Sequence, residues 1–124
     1  MAKTILIVGD SKAVRRSISF VLEQNGYQAV EAAGGLEALA LLGTTAVDCI
    51  ISDVDMPDMN GIELVEAVRS GQERSELPIL VLTTESQSSG QDRSRDAGVT
   101  GWIVKPFSTD RLLSAVRRVV SLKK

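Results

Sequence analysis

Short runs of apolar, largely β-branched residues alternate along the chain with longer stretches whose apolar residues recur every three or four positions. Each run stops at Gly, Pro, Asp, Ser or Thr. The first run, Thr4-Ile5-Leu6-Ile7-Val8, is apolar on both strand faces, the pattern of a strand covered on both sides. Asp10-Ser11 then caps a helix with an apolar stripe of Ala13, Val14, Ile18, Val21 and Leu22, and Asn25-Gly26 stops it. A second strand is predicted over 28–31, followed after Gly34-Gly35 by a helix carrying Leu36, Leu39, Ala40 and Leu42. A third strand covers 47–52, and Asn60-Gly61 opens a helix through Ile62, Leu64, Val65 and Val68 to Gly71. Pro78 introduces a fourth strand over 79–82 that ends at Thr83-Thr84. The fifth strand, 101–104, ends at Lys105-Pro106, and Leu112, Leu113, Val116, Val119 and Val120 line the final helix. Five strand–helix units predict an α/β fold with a parallel sheet and helices on both faces.

One unit departs from the pattern. Residues 86–96 contain no apolar side chain, so the fourth helix has no stripe to bury and is expected to be short, frayed or mobile.

Length and charge narrow the reading. With 124 residues the chain fits one domain, expected over residues 1–124 with no appended output domain. At 44% hydrophobic and 24% charged residues, it has the composition of a globular protein rather than a disordered one. Fourteen basic residues against sixteen acidic give a net charge of −2, which argues against a nucleic-acid grip or adhesion to anionic lipid. A single cysteine cannot form an internal disulfide, and zero histidines remove zinc sites and His-dependent triads from consideration. Cys49 falls within an apolar strand and reads as a core residue. The opening Met1-Ala2-Lys3 leads into an apolar run too short for a leader or a membrane span, so no membrane insertion and a cytoplasmic location are expected.

Right-handed crossovers make successive strands parallel, so the residues ending each strand emerge on one edge of the sheet. That edge receives Asp10, Asp53, Thr83 and Lys105. Two bare carboxylates repel, and a hard divalent cation such as Mg²⁺ relieves the repulsion while accepting incomplete protein ligation. Lys105 adds a fixed positive charge, and Thr83 or the adjacent Thr84 a hydroxyl, with spacing to Lys105 favouring Thr83; these complete a cradle for a tetrahedral anion such as phosphate. A carboxylate in such a cradle can serve as the nucleophile in phosphoryl transfer, and Asp53 is the best-placed acceptor.

These residues carry a resemblance. Gly9-Asp10-Ser11, the stretch Asp53-Val54-Asp55-Met56-Pro57-Asp58-Met59-Asn60-Gly61, Thr83-Thr84-Glu85 and Lys105-Pro106-Phe107 stand in order at the predicted strand ends. The whole chain resembles the receiver domain of two-component response regulators, of the stand-alone chemotaxis (CheY-like) type. The resemblance implies a flavodoxin-like strand order 2-1-3-4-5. It also implies a phosphoryl group accepted on Asp53 from the histidine of a partner kinase or histidine phosphotransfer protein. Mg²⁺ would be held by Asp10, Asp53 and the backbone carbonyl of Asp55, with Thr83 and Lys105 contacting the phosphoryl group. It further implies a cis Lys105-Pro106 peptide, a switch aromatic at Trp102, and a signal passed to a downstream protein through the face of helix 4, strand 5 and helix 5. Glu85 and the Asp55 side chain are candidates for tuning the lifetime of the phosphorylated state. Such a protein is not an enzyme acting on other molecules; it catalyses only its own phosphorylation and dephosphorylation.

Two positions depart from the family pattern. Receivers usually carry adjacent acids after the first strand, and here the first of them is Gly9, which implies weaker Mg²⁺ affinity rather than none. Trp102 stands where Tyr or Phe is usual. Two other functions compete: a degenerate receiver that docks independently of phosphorylation, and an aspartate-nucleophile phosphatase suggested by the Asp53-Val54-Asp55 pair. Retention of Asp53, Thr83 and Lys105 argues against the first, and the position of the pair after the third strand argues against the second.

Overall fold

In the computed structural model, which describes residues 3–54, 56, 59–70, 76–84 and 98–122, five parallel strands lie in the order β2-β1-β3-β4-β5. They are β1 Thr4–Val8, β2 Gln28–Ala32, β3 Cys49–Asp53, β4 Ile79–Thr84 and β5 Gly101–Lys105. The helices are α1 Lys12–Gln24, α2 Gly35–Leu42, α3 Gly61–Arg69 and a C-terminal helix, Thr109–Leu122. The predicted fourth helix over 86–96 lies outside the described residues, and so do Asp55 and Glu85.

The two-sided apolar runs make two cores. Ile5, Ile7, Cys49, Ile51, Leu80, Leu82 and Ile103 pack with α1 and the C-terminal helix. Leu6, Val8, Ile50, Ile79 and Val81 point the other way and pack with α2 and α3. Cys49 is fully buried in the first core, as its sequence context suggests. Each fully buried Ile or Leu contributes about 1.5–3 kcal/mol relative to exposure, so the sheet is anchored from both faces.

Capping fixes where the helices begin. The Ser11 hydroxyl accepts from the Val14 N–H, and past the C-cap Asn25 the chain turns through Gly26 at φ +90°. Asn60 forms a full capping box with Glu63, which starts α3 directly after the β3 loop. At the other end of α3, Arg69 donates to the carbonyls of Leu77 and Gly98 and to the Thr100 hydroxyl. This ties α3 to the chain entering β5, and burial lowers the guanidinium pKa from its ordinary value.

The helical stripes differ in detail from those predicted. On α1 the buried residues are Ile18, Ser19 and Leu22, whereas Ala13 is exposed and Val14 is 36% exposed. On α2 the buried face is Gly35, Ala38 and Leu42, and Leu36 stands 60% exposed. Strand ends run one or two residues further than the apolar runs, so Asp53, Thr83, Thr84 and Lys105 belong to the strands themselves.

Candidate functional site at the carboxyl edge of the sheet

The strand order reverses at β1, which has β2 on one side and β3 on the other, and a crevice opens outside the carboxyl ends of β1 and β3. Gly9 and Asp10 leave β1 there, and Asp53 ends β3. Asp53 is only 8% exposed. Its backbone is fixed on several sides: its carbonyl accepts from the Ser52 hydroxyl at 3.0 Å, the following Val54 N–H donates to Leu82, and the Val54 carbonyl accepts from Gly61. Gly61 packs so closely that a Cβ there would lie 2.4 Å from the Asp53 carbonyl oxygen.

Alternation along the strands sorts the side chains. Asp53 shares the face of Ile51, and Lys105 that of Ile103, both in the core beneath α1 and the C-terminal helix. The two meet across β4: Lys105 Nζ donates to Asp53 Oδ1 at 3.0 Å and to Oδ2 at 3.2 Å. The Lys105-Pro106 peptide is cis, as expected. Thr83, fully buried at the end of β4, follows the alternation of Val81 and so lies on the opposite face from Leu82 and Asp53. Trp102, in register with Val81, is half-buried on that same face. The structure therefore joins Asp53 and Lys105 directly and sets Thr83 with Trp102 on the other side of the sheet edge. Asp10 is exposed just before the α1 cap.

The residues present fit a hard cation. The candidate ligands among the described residues are two carboxylates, Asp53 at the end of β3 and Asp10 two residues beyond β1. All-oxygen, incomplete ligation suits Mg²⁺, which keeps several waters, and does not suit zinc or copper. Gly9 borders Asp53: a Cβ there would lie 3.6 Å from Asp53 Cβ, an ordinary contact.

A further group at this edge escaped the sequence reading. Arg15 Nη1 donates to the Gly9 carbonyl at 2.6 Å, and Arg15 Nε pairs with Glu31 Oε1 at 3.2 Å. Glu31 Oε2 accepts from the Ser19 hydroxyl at 3.1 Å. The available signal was helical spacing, since positions 15, 18, 19 and 22 share one face of α1.

Against known proteins, residues 5–117 match the family model described as "Response regulator receiver domain", and the chain belongs to that family. It is 42% identical to the chemotaxis response regulator CheY4 of Vibrio cholerae, whose structure superposes with a TM-score of 0.91 over 96% of this chain and 99% of that one. The receiver domain of a signal transduction histidine kinase from Syntrophus aciditrophicus is 36% identical over 99% of this chain and 93% of its own, with a TM-score of 0.93. The response regulator MprA of Mycobacterium sp. (strain KMS) is 38% identical over 120 residues, 97% of this chain but 51% of MprA. The chain thus spans about half the length of the curated relatives it matches. It is a receiver module of two-component signalling with the CheY-like fold and strand order 2-1-3-4-5. No helix among the described residues is long and apolar enough to cross a membrane.

Proposed function

We propose that this receiver accepts a phosphoryl group on Asp53 from a phosphohistidine of a partner kinase or histidine phosphotransfer protein. The observation that carries the reading is the Lys105–Asp53 contact, a fixed ammonium beside a part-buried carboxylate at the crevice. An Asp53 carboxylate oxygen attacks phosphorus, the P–O bond forms as the donor's P–N bond breaks, and the imidazole leaves with the bonding pair. With no histidine among these 124 residues, the donor histidine lies outside this receiver module.

Asp10 and Asp53, joined by the Asp55 backbone carbonyl, would hold Mg²⁺, which supplies charge neutralisation for the incoming phosphoryl oxygens. Lys105 supplies a second positive charge already in place, so little reorganisation is needed as charge builds on those oxygens. Thr83 would donate its hydroxyl to the bound phosphoryl group. Its movement toward that group opens space on the face it shares with Trp102, which couples chemistry at Asp53 to the outer surface of β5. Glu85 and Asp55 would tune the lifetime of the acyl phosphate. The signal passes to a downstream protein through the face of the predicted fourth helix, β5 and the C-terminal helix. Support for that face is the position of β5 at the sheet edge and of half-buried Trp102 upon it.

Intact-mass analysis with acetyl phosphate and Mg²⁺ tests the proposal. A phosphoryl adduct is expected on the unmodified chain and not on Asp53→Asn. Absence of the adduct from both, with Mg²⁺ bound, would favour phosphorylation-independent docking. Rapid turnover of small phosphate esters would favour a phosphatase.

A further inference from the structure

Gly9 stands at the point where β1 gives way to α1, and both of its backbone polar groups are tied. Its N–H donates to the Ala32 carbonyl at 3.1 Å, extending the β1–β2 ladder. Its carbonyl accepts from Arg15, whose guanidinium is in turn held by Glu31. Glu31 lies in register with Ile7 on β2, and its second oxygen takes the Ser19 hydroxyl of α1. A chain of polar contacts thus runs from α1 through β2 to the peptide immediately before Asp10.

The need for such a brace follows from the residue it grips. Glycine has more backbone freedom to lose than any other residue, and it lends no side chain to pack the turn. Asp10, exposed and next in sequence, depends on the backbone of Gly9 for its position. A guanidinium suits the task because its planar fork can engage a carbonyl and a carboxylate at once. Glu31 also offsets the positive charge of Arg15, so the grip adds little net repulsion toward a cation in the crevice.

We infer that Arg15, oriented by Glu31 and Ser19, is a positioning residue that immobilises Gly9 and thereby sets Asp10 for a hard divalent cation. This rests on the reading of Asp10 and Asp53 as the cation site. It differs in sign from simple electrostatics, since deleting Arg15 makes the neighbourhood more negative and by charge alone would tighten Mg²⁺ binding. Loss of positioning weakens it.

The test is a calorimetric Mg²⁺ titration of the full chain, with amide exchange of Gly9 followed separately in metal-free buffer. Arg15→Met and the isosteric Glu31→Gln are each expected to raise the Mg²⁺ dissociation constant on the order of tenfold, the scale of losing a group that orients a metal ligand. Both should also speed exchange of the Gly9 amide. Gly9→Ala restricts the same backbone without altering charge, and its Cβ makes only an ordinary 3.6 Å contact. In that background the penalty of Arg15→Met should shrink by more than half. Unchanged or tighter Mg²⁺ binding by Arg15→Met, or an equal penalty in both backgrounds, overturns the inference. No Mg²⁺ binding by the unmodified chain would overturn the cation reading of Asp10 and Asp53, and the role of Arg15 with it, whereas a normal Mg²⁺ affinity without an Asp53 adduct would leave Arg15 in place and remove only the phosphoryl chemistry.

Discussion

Lys105 Nζ bridges both carboxylate oxygens of Asp53, at 3.0 and 3.2 Å, across the intervening strand β4. The same ammonium has two opposed effects. In the proposed mechanism it would compete with a divalent cation for Asp53, and it would neutralise charge that develops during phosphoryl transfer. Lys105→Met should therefore tighten Mg²⁺ binding severalfold while slowing Asp53 adduct formation from acetyl phosphate by about 100-fold, the scale of removing one preorganised charge-stabilising donor. Calorimetry and time-resolved intact mass measure the two separately. Adduct formation at the unmodified rate would remove Lys105 from the chemistry.

Restoring an acid at position 9 probes the same charge balance from the other side. The Cβ of a residue there meets only Asp53, at ordinary contact distance, so Gly9→Asp fits without displacing the backbone. A third carboxylate beside Asp53 costs about 1 kcal/mol of repulsion at a separation near 4 Å in a well-solvated crevice, and more as water is excluded. The variant should melt at a lower temperature than the unmodified chain in a chelator and recover on adding Mg²⁺, with affinity increased by about tenfold or more. Identical Mg²⁺ titrations would show that position 9 does not face the cation.

The strands were legible because a sheet covered on both faces demands uninterrupted apolar runs, and β1 and β3 supply them. Strand ends then placed Asp53 and Lys105 on one edge without any knowledge of contacts. The helical faces were harder to read. Gly35–Leu42 is apolar nearly all round, so periodicity cannot choose between Leu36, which is exposed, and Ala38, which is buried. On α1 the inner face carries Arg15 and Ser19, polar residues that a search for apolar stripes passes over. Their role depends on Glu31, which reaches them only through the β1–β2 register, a relationship between distant residues that local sequence does not encode. Thr83 shows a subtler gap: the edge was predicted, but which face of the edge depends on where the alternation of β4 begins.

Gly61 links Asp53, the proposed acceptor, to the helix behind it. Its N–H donates to the Val54 carbonyl at 2.8 Å, and a Cβ would lie 2.4 Å from the Asp53 carbonyl oxygen and 3.1 Å from Val54 Cα. Backbone atoms cannot yield as a flexible side chain would. Gly61→Ala is therefore expected to destabilise the fold by about 1–3 kcal/mol, the usual cost of overpacking. It should also slow phosphorylation of Asp53 by shifting its backbone. Chemical denaturation and intact mass test the two effects. A neutral stability change would mean that the β3–α3 connection relaxes freely.

Trp102 and Thr83 share a face of the sheet, on neighbouring strands, and Trp102 is the chain's sole tryptophan. If a phosphoryl group draws the Thr83 hydroxyl toward Asp53, the volume beside the indole changes, and with it the solvent exposure that sets the emission maximum. Adding Mg²⁺ and beryllofluoride, a phosphoryl mimic, should then shift or quench Trp102 emission, whereas Mg²⁺ alone should produce a smaller change. Thr83→Ala should at least halve the response to the mimic while leaving the Asp53 adduct detectable by mass, because in the proposed mechanism the hydroxyl couples the chemistry to the ring and is not the nucleophile. An undiminished response in Thr83→Ala would show that Trp102 senses the crevice by another route. No response in the unmodified chain, with binding of the mimic proven, would show that the indole stays in its half-buried position and does not report the state of Asp53.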